Sequence, residues 1–182
     1  FAIPIEKYQD RQTRGRLKKL ISPFILRRLK QDVLQELPPR TEMTLQVEMS
    51  PEETAMYEAQ RRQSLEKIAE IEETGSGQHM QILAEITRLR RFCCNPELVV
   101  PGCGLTSSKL KVFGDTISEL LDNGHKALVF SQFVGHLDIL RRYLDKQKVS
   151  YQYLDGSTPV KKRQQRIRAF QSGEGDVFLI SL

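Results

Sequence analysis

The sequence contains no apolar run that approaches the roughly 20 residues of a membrane-spanning helix. Its first residues, FAIPIEKYQDRQ, also lack the continuous apolar core of a secretory signal peptide. We therefore expect neither membrane insertion nor secretion. An initiator Met is absent as well, which suggests a piece of a longer protein.

Cysteine is scarce, with only Cys93, Cys94 and Cys103 present. An odd number with one adjacent pair favours free thiols in a reducing compartment. A structural zinc site needs four well-placed ligands, and His79 is remote in sequence from the cysteines. We therefore expect no metal site and an intracellular protein, in the cytoplasm if the source is bacterial and in the nucleus if it is eukaryotic.

Complete catalytic motifs are also missing. No GxxxxGK[ST] phosphate loop occurs, and TSSK at 106–109 lacks the preceding glycines. No Asp-Glu pair follows a predicted strand, where it could hold magnesium. None of the histidines (His79, His125 and His136) is near a candidate nucleophile. We therefore predict no catalytic residue in this chain alone.

Positive charge is concentrated at the two ends of the chain. Residues 1–45 carry ten Lys/Arg against five acids, residues 46–100 six against ten, and residues 101–182 twelve against eight. The net charge of +5 permits nucleic-acid binding. On charge alone, a solvated basic surface is the favoured interpretation.

Residue patterns in the first half predict helices and one strand. The patterns typical of helices cover residues 14–21, 51–73 and 78–94. Apolar alternation over 43–49 predicts a strand. Ser50 and Glu53 have the spacing of a capping box for the second helix. The third helix carries a predicted buried stripe, which comprises Ile82, Ile86, Leu89 and Cys93.

The second half alternates strands and helices, which predicts a parallel sheet with flanking helices, an α/β fold. A helix over about 107–122 comes first. The predicted strands are 126–131, 149–154 and 177–181, and the helices between them are 135–147 and 159–171. We expect the last strand to be buried, although Val177, Phe178 and Ile180 would lack one covering helix.

Small polar residues follow all three predicted strands. They are Ser131 and Gln132, then Gly156, Ser157 and Thr158, and finally Ser181. Ligands of parallel sheets bind at this edge. Thr158 is predicted to cap a helix that begins at Pro159, where free amides, Lys161 and Lys162 would favour a phosphate. An ordinary cap on a solvated basic helix is the alternative.

Several segments closely resemble the second half of the Swi/Snf-type helicase-like ATPases of superfamily two. PFILRRLKQDVLQELPPRTE resembles the segment that joins the two RecA-like lobes, and SPEETAMYEA the start of the helical protrusion. SSKLKVF and HKALVFSQFVGHLDIL resemble the helix and strand of motif IV. YLDGSTPVKKRQQRIRAF resembles the next motif block, and DVFLISL the start of motif V, within which the chain would have been cut.

This resemblance implies an incomplete second RecA-like lobe with an N-terminal helical linker and protrusion. The expected domains are a linker with the first strand (1–50), a protrusion (51–104) and the incomplete lobe (105–182). Arg27 and Arg28 match linker arginines and would be interdomain. Arg163 also matches a motif position, where it could pair with a carboxylate.

The resemblance further implies that the parent protein is a DNA-dependent ATPase that translocates along duplex DNA, as chromatin remodellers do. It would use ATP and magnesium, which this chain alone should not bind tightly. The implied partners are the first RecA-like lobe and the DNA backbone, contacted without sequence preference. Ser131, Gln132, Gly156, Ser157, Thr158 and Ser181 match the contact positions. The rival hypothesis is a non-catalytic binding module with a lobe-like fold.

Overall fold

The computed structural model describes residues 1–26, 41–74 and 78–182. The chain divides into two compact units, residues 1–45 and 46–182, which are described separately below. Arg27 and Arg28 lie outside the described residues, so their interdomain role stays a prediction. The domain boundaries expected after residues 50 and 104 also stay predictions.

The described residues of the first unit form two helices and a 3₁₀ turn. These elements are α1 (Ala2–Glu6), α2 (Arg11–Ile21) and the turn Ser22–Phe24. Asp10 caps α2, because its carboxylate accepts hydrogen bonds from the Gln12 amide (2.9 Å) and the Thr13 hydroxyl (2.6 Å). The predicted helix over 14–21 is confirmed, and it begins earlier because Asp10 satisfies its first amide groups.

The strand predicted over 43–49 is absent, since residues 41–50 form neither helix nor strand. Met43 and Leu45, which belong to the alternating pattern, are 80% and 56% exposed. A strand needs a neighbour that pairs with its backbone amides and carbonyls. No strand of the described residues pairs with this segment. The apolar alternation of residues 43–49 is therefore not sufficient for a strand, and this prediction was wrong.

The second unit begins with two long helices that pack against each other. They are α3 (Pro51–Thr74) and α4 (Gln78–Cys94). The rings of Tyr57 and Phe92 lie 5.8 Å apart, and the Ser64 hydroxyl donates to Glu85 (2.6 Å). The capping box is confirmed, because the Ser50 amide donates to Glu53 Oε2 (3.0 Å) and the Glu53 amide to Ser50 Oγ (3.2 Å).

The buried stripe predicted on α4 is only partly formed. Ile82, Leu89 and Cys93 are half-buried, whereas Ile86 is exposed. Phe92 is instead the most buried side chain of this helix among the described residues. A pair of helices buries only the faces that touch, and polar contacts such as Ser64 with Glu85 occupy part of that contact.

The rest of this unit alternates helices and strands as predicted. Its elements are a 3₁₀ turn (Pro96–Leu98), α5 (Ser108–Asp122), β1 (Ala127–Ser131), α6 (Val134–Gln147), β2 (Tyr151–Leu154), α7 (Val160–Gln171) and β3 (Val177–Ser181). The three strands form a parallel sheet in the order β1-β3-β2. The connections to β2 and then to β3 run in opposite directions, so right-handed crossovers place α6 and α7 on opposite faces.

Both faces of the central strand β3 are covered. On one face Leu140 and Leu144 of α6 pack with Val177 and Leu179. On the other face the ring of Phe178 lies 5.2 Å from the ring of Phe170 in α7. The expectation that Val177, Phe178 and Ile180 lack a covering helix was wrong for Val177 and Phe178, because the crossovers bring α6 and α7 to the same strand, while Ile180 is half-buried.

The uncovered apolar surface lies instead on β1. Leu128 and Phe130 are 55% and 52% exposed, although they alternate with the buried Ala127. α7 packs mainly on β2, whereas α6 packs on β1 and β3. Within the described ranges, none of the helices combines the length and apolar character needed to cross a membrane.

Candidate nucleic-acid interface

The carboxyl ends of the strands meet at one edge of the sheet. Ser131 at the end of β1 lies opposite Ser181 at the end of β3, and Leu154 of β2 lies opposite Ile180. The Leu182 amide donates to the Ser131 carbonyl (3.0 Å), which holds the first two ends together. The predicted convergence of polar strand ends is confirmed, while their contact with DNA stays a prediction.

The Ser131 side chain stabilises the turn that follows β1. It is only 8% exposed, and its hydroxyl accepts from the Phe133 amide (3.2 Å) and lies 3.5 Å from His136 Nδ1. These contacts shape the turn from β1 into α6. Burial, with a smaller effect of Lys109, lowers the pKa of His136, which favours the neutral ring. Gln132 is the exposed side chain of this turn.

Gln132 is held by a residue that the sequence did not indicate. Arg90 Nη2 of α4 donates to Gln132 Oε1 at 2.6 Å. The two residues are 42 positions apart, so no local pattern could have paired them. The only available signal was the second Arg in TRLRRF, which does not continue the apolar stripe of α4.

The turn after β2 is organised around Asp155. Its Oδ1 accepts from the Ser157 amide (3.0 Å), the Ser157 hydroxyl (2.7 Å) and the Thr158 hydroxyl (3.0 Å). Its Oδ2 accepts from the Tyr153 hydroxyl (2.9 Å). These bonds, that of Ser157 above all, lower the pKa of Asp155 to about 2. Burial and the neighbouring carboxylate raise the pKa of Tyr153 to about 12.

Arg163 braces the same turn from α7. Its Nε donates to the Thr158 carbonyl (2.8 Å), and its Nη2 donates to the carbonyls of Asp155 (2.8 Å) and Gly156 (3.3 Å). The guanidinium thus bonds to three backbone carbonyls, and among the described residues it forms no ion pair with a carboxylate, which was the alternative for this residue. Contacts within the chain therefore order the Gly156–Thr158 segment.

The start of α7 differs from the prediction by one residue. Pro159 is the N-cap and Val160 the first helical residue, and no side chain caps the helix. Thr158 does not cap it, because its hydroxyl is bound to Asp155. The first amides of α7 consequently have no side-chain acceptor. Lys161 and Lys162, both exposed, form no ion pair within the described ranges.

The residues of this chain do not form a site suited to ATP and magnesium. The whole sequence lacks the phosphate-loop motif. Among the described residues, no three His, Cys, Asp or Glu side chains are grouped so that they could hold a metal ion. Asp155 is the carboxylate of the strand edge, and its oxygens already accept from three neighbouring residues.

Two family models match the chain almost end to end. The SNF2-related domain matches residues 1–98, and the helicase conserved C-terminal domain matches residues 108–182. An uncharacterized ATP-dependent helicase of Mycoplasma genitalium is 33% identical over 183 residues, covering 100% of this chain and 18% of that protein. The human SWI/SNF-related regulator of chromatin subfamily A member 1 is 30% identical over 184 residues, covering 95% and 17% respectively.

Solved structures of the same family share the fold. The Sulfolobus solfataricus SWI2/SNF2 ATPase core in complex with dsDNA superposes with a TM-score of 0.71 at 31% identity, covering 100% of this chain and 39% of that chain. The C-terminal domain of the Sulfolobus solfataricus SWI2/SNF2 ATPase gives 0.67 at 27% identity, covering 75% and 60%. The chain therefore belongs to the Swi/Snf family of helicase-like ATPases, and it corresponds to part of their C-terminal region.

Proposed function

We propose that this chain contributes a DNA-backbone-binding edge to an ATPase that translocates along duplex DNA. The observation that carries the proposal is the strand edge, where Gln132, the Gly156–Thr158 turn and the uncapped start of α7 come together. The related Sulfolobus core was solved in complex with dsDNA, and it aligns with the whole chain. Backbone amides, hydroxyls and lysines contact phosphates without reading base sequence.

The electrostatics of α7 favour an anion at its start. Lys161 and Lys162 lie in the first turn, where each cation opposes the helix dipole by about 0.3–1 kcal/mol. A phosphate at the uncapped amides would convert this repulsion into attraction. Asp155 is ionised at neutral pH and would repel a phosphate. The three cations Lys161, Lys162 and Arg163 lie in the first turn of α7 and outnumber this carboxylate.

Gly156 fits the same proposal. A Cβ placed on Gly156 would meet no heavy atom within 4 Å, and the backbone φ of this residue lies outside the positive range. The fold therefore does not require glycine at this position. A ligand backbone that approaches the turn closely would require it.

DNA binding by the 182-residue chain tests this proposal. With half of a two-lobe clamp, we expect a Kd of roughly 10⁻⁴–10⁻⁶ M for duplex DNA at physiological salt. Lys161→Glu with Lys162→Glu should weaken binding and reduce its dependence on salt. Lys146→Glu with Lys148→Glu makes the same charge change at the end of α6, near the opposite edge of the sheet, and should have a much smaller effect. Equal effects of the two pairs would contradict a phosphate site at α7.

We also propose that ATP hydrolysis belongs to the longer protein. This chain lacks the phosphate loop, and in phosphoryl transfer the loss of even a single positioned arginine costs about 10³–10⁵ in rate. The chain by itself should show no hydrolysis above the blank, with or without DNA. A protein that adds the preceding ATP-binding lobe and the remainder of the second lobe should hydrolyse ATP and respond to DNA. A lack of activity there would favour the non-catalytic binding module.

A further inference from the structure

The three arginines at the end of α4 have different partners. Arg88 forms an ion pair with Glu85 (3.6 Å), and Arg91 Nη2 donates to the Leu98 carbonyl (2.8 Å). Arg90 bonds to the neutral side chain of Gln132 and, within the described residues, forms no ion pair. Of these three cations, only Arg90 is both free of a carboxylate and directed to the strand edge.

The amide partner decides what Arg90 can do. A carboxylate would neutralise the guanidinium, whereas the Gln132 oxygen orients it and leaves its charge intact. Guanidinium carries five N–H donors, and Gln132 accepts from one nitrogen, Nη2. Both side chains are exposed, and the amide nitrogen of Gln132 adds two further donors. The pair is thus an ordered, singly charged group of hydrogen-bond donors, which suits a phosphate.

A second cation lies beside the same strand end. Burial raises the pKa of Cys93 and lowers that of His136; the charge of Lys109, the second residue of α5, opposes the first shift and adds to the second. Lys109 therefore lies near Cys93 of α4 and near His136, whose Nδ1 is 3.5 Å from Ser131 Oγ at the end of β1.

We propose that Arg90, held in place by Gln132, contacts a phosphate of the duplex DNA, so that α4 contributes to the interface beyond the strand ends. This proposal rests on the proposed function. It differs from a merely structural tether between α4 and the sheet, because a tether would affect stability and not the number of phosphates that the protein neutralises.

Salt-dependent binding of a duplex oligonucleotide separates these two roles. Each phosphate that a cation neutralises contributes about −0.9 to the slope of log K against log salt. Arg90→Gln should weaken binding about tenfold and make the slope about 0.9 less steep. Arg90→Lys should restore the slope. Gln132→Ala should weaken binding while the slope stays unchanged, and it should have a smaller effect when combined with Arg90→Gln.

Arg91→Gln is the matched control, since it removes the same charge from the neighbouring residue, whose guanidinium bonds to the Leu98 carbonyl. It should leave the slope near the unaltered value, and thermal unfolding of each variant verifies that it is folded. A normal slope in folded Arg90→Gln, with a reduced slope in the Lys161/Lys162 double variant, would overturn the Arg90 contact and leave the proposed function standing. If the unaltered chain binds no duplex DNA, the proposed function fails and this inference fails with it.

Discussion

Removal of the Glu53 carboxylate should destabilise the second unit more than the loss of an ordinary helix cap does. Glu53 is only 4% exposed and binds two helix starts at once. It accepts from the Ser50 amide (3.0 Å) at α3, and from both the amide (3.0 Å) and the hydroxyl of Ser108 in the first turn of α5. The Ser50 amide is also shared with Ser108 Oγ at 3.2 Å.

The magnitude follows from the three donors that Glu53→Ala would leave without this acceptor. A buried donor left without an acceptor costs about 1–3 kcal/mol, and the loss of a helix cap about 0.5–2 kcal/mol. Water will reach some of these groups after truncation, so we expect a total loss of about 3–5 kcal/mol. For a domain of this size, 3 kcal/mol corresponds to a decrease in Tm of roughly 6–12 °C.

Urea denaturation followed by far-UV circular dichroism measures this loss directly, with equal m-values as the condition for comparing variants. Glu52→Ala is the control, because it removes a carboxylate from the same turn of α3 at an exposed position. We expect it to cost less than about 1 kcal/mol. A loss below about 1 kcal/mol for Glu53→Ala would refute the idea that this carboxylate joins α3 to α5.

Further outcomes follow from other sites. Gly156→Ala should leave the free energy of unfolding unchanged or slightly increased, because there is open space around the added Cβ. The same substitution should weaken duplex binding as measured by anisotropy. Unchanged binding would exclude a close approach of the DNA backbone to this turn. Because the pKa of Asp155 is lowered from 3.8 to about 2, its ionised form stabilises the fold above pH 4, and that stabilisation is lost as the pH falls towards 2. Asp155→Asn should therefore show a shallower acid loss of stability in urea titrations, and an identical acid profile would contradict this. Leu179→Ala should cost about 2–5 kcal/mol in the same assay and the exposed Leu128→Ala below about 1 kcal/mol; equal costs would refute the assignment of the sheet faces.

Local sequence patterns were sufficient where a short segment determines its own structure. The Ser50 and Glu53 spacing identified the start of α3, because both partners of a capping box lie within one turn. The strand–helix alternation after residue 107 predicted the parallel sheet, because a parallel pair requires a crossover. The polar strand ends followed from that topology, since parallel strands end at the same edge.

The errors occurred where the outcome depends on distant residues. The 43–49 segment has strand alternation, but whether a partner strand is available cannot be read from the segment itself. The Thr158 cap prediction failed for a local reason instead, because the hydroxyl donates to the carboxylate of Asp155, three residues earlier. The contact of Arg90 with Gln132 joins two elements that only the tertiary fold brings together.

The central claim is that the carboxyl edge of the sheet binds the DNA backbone, and amide chemical-shift mapping with a short duplex tests it most directly. The largest shifts should occur at Gln132, at residues 156–162 and at Ser181, and they should be the same for duplexes of unrelated sequence. The opposite edge of the sheet, marked by Lys126 and Lys148, should be unaffected. Shifts centred on that opposite edge, or a duplex that perturbs no amide at millimolar concentration, would contradict the account.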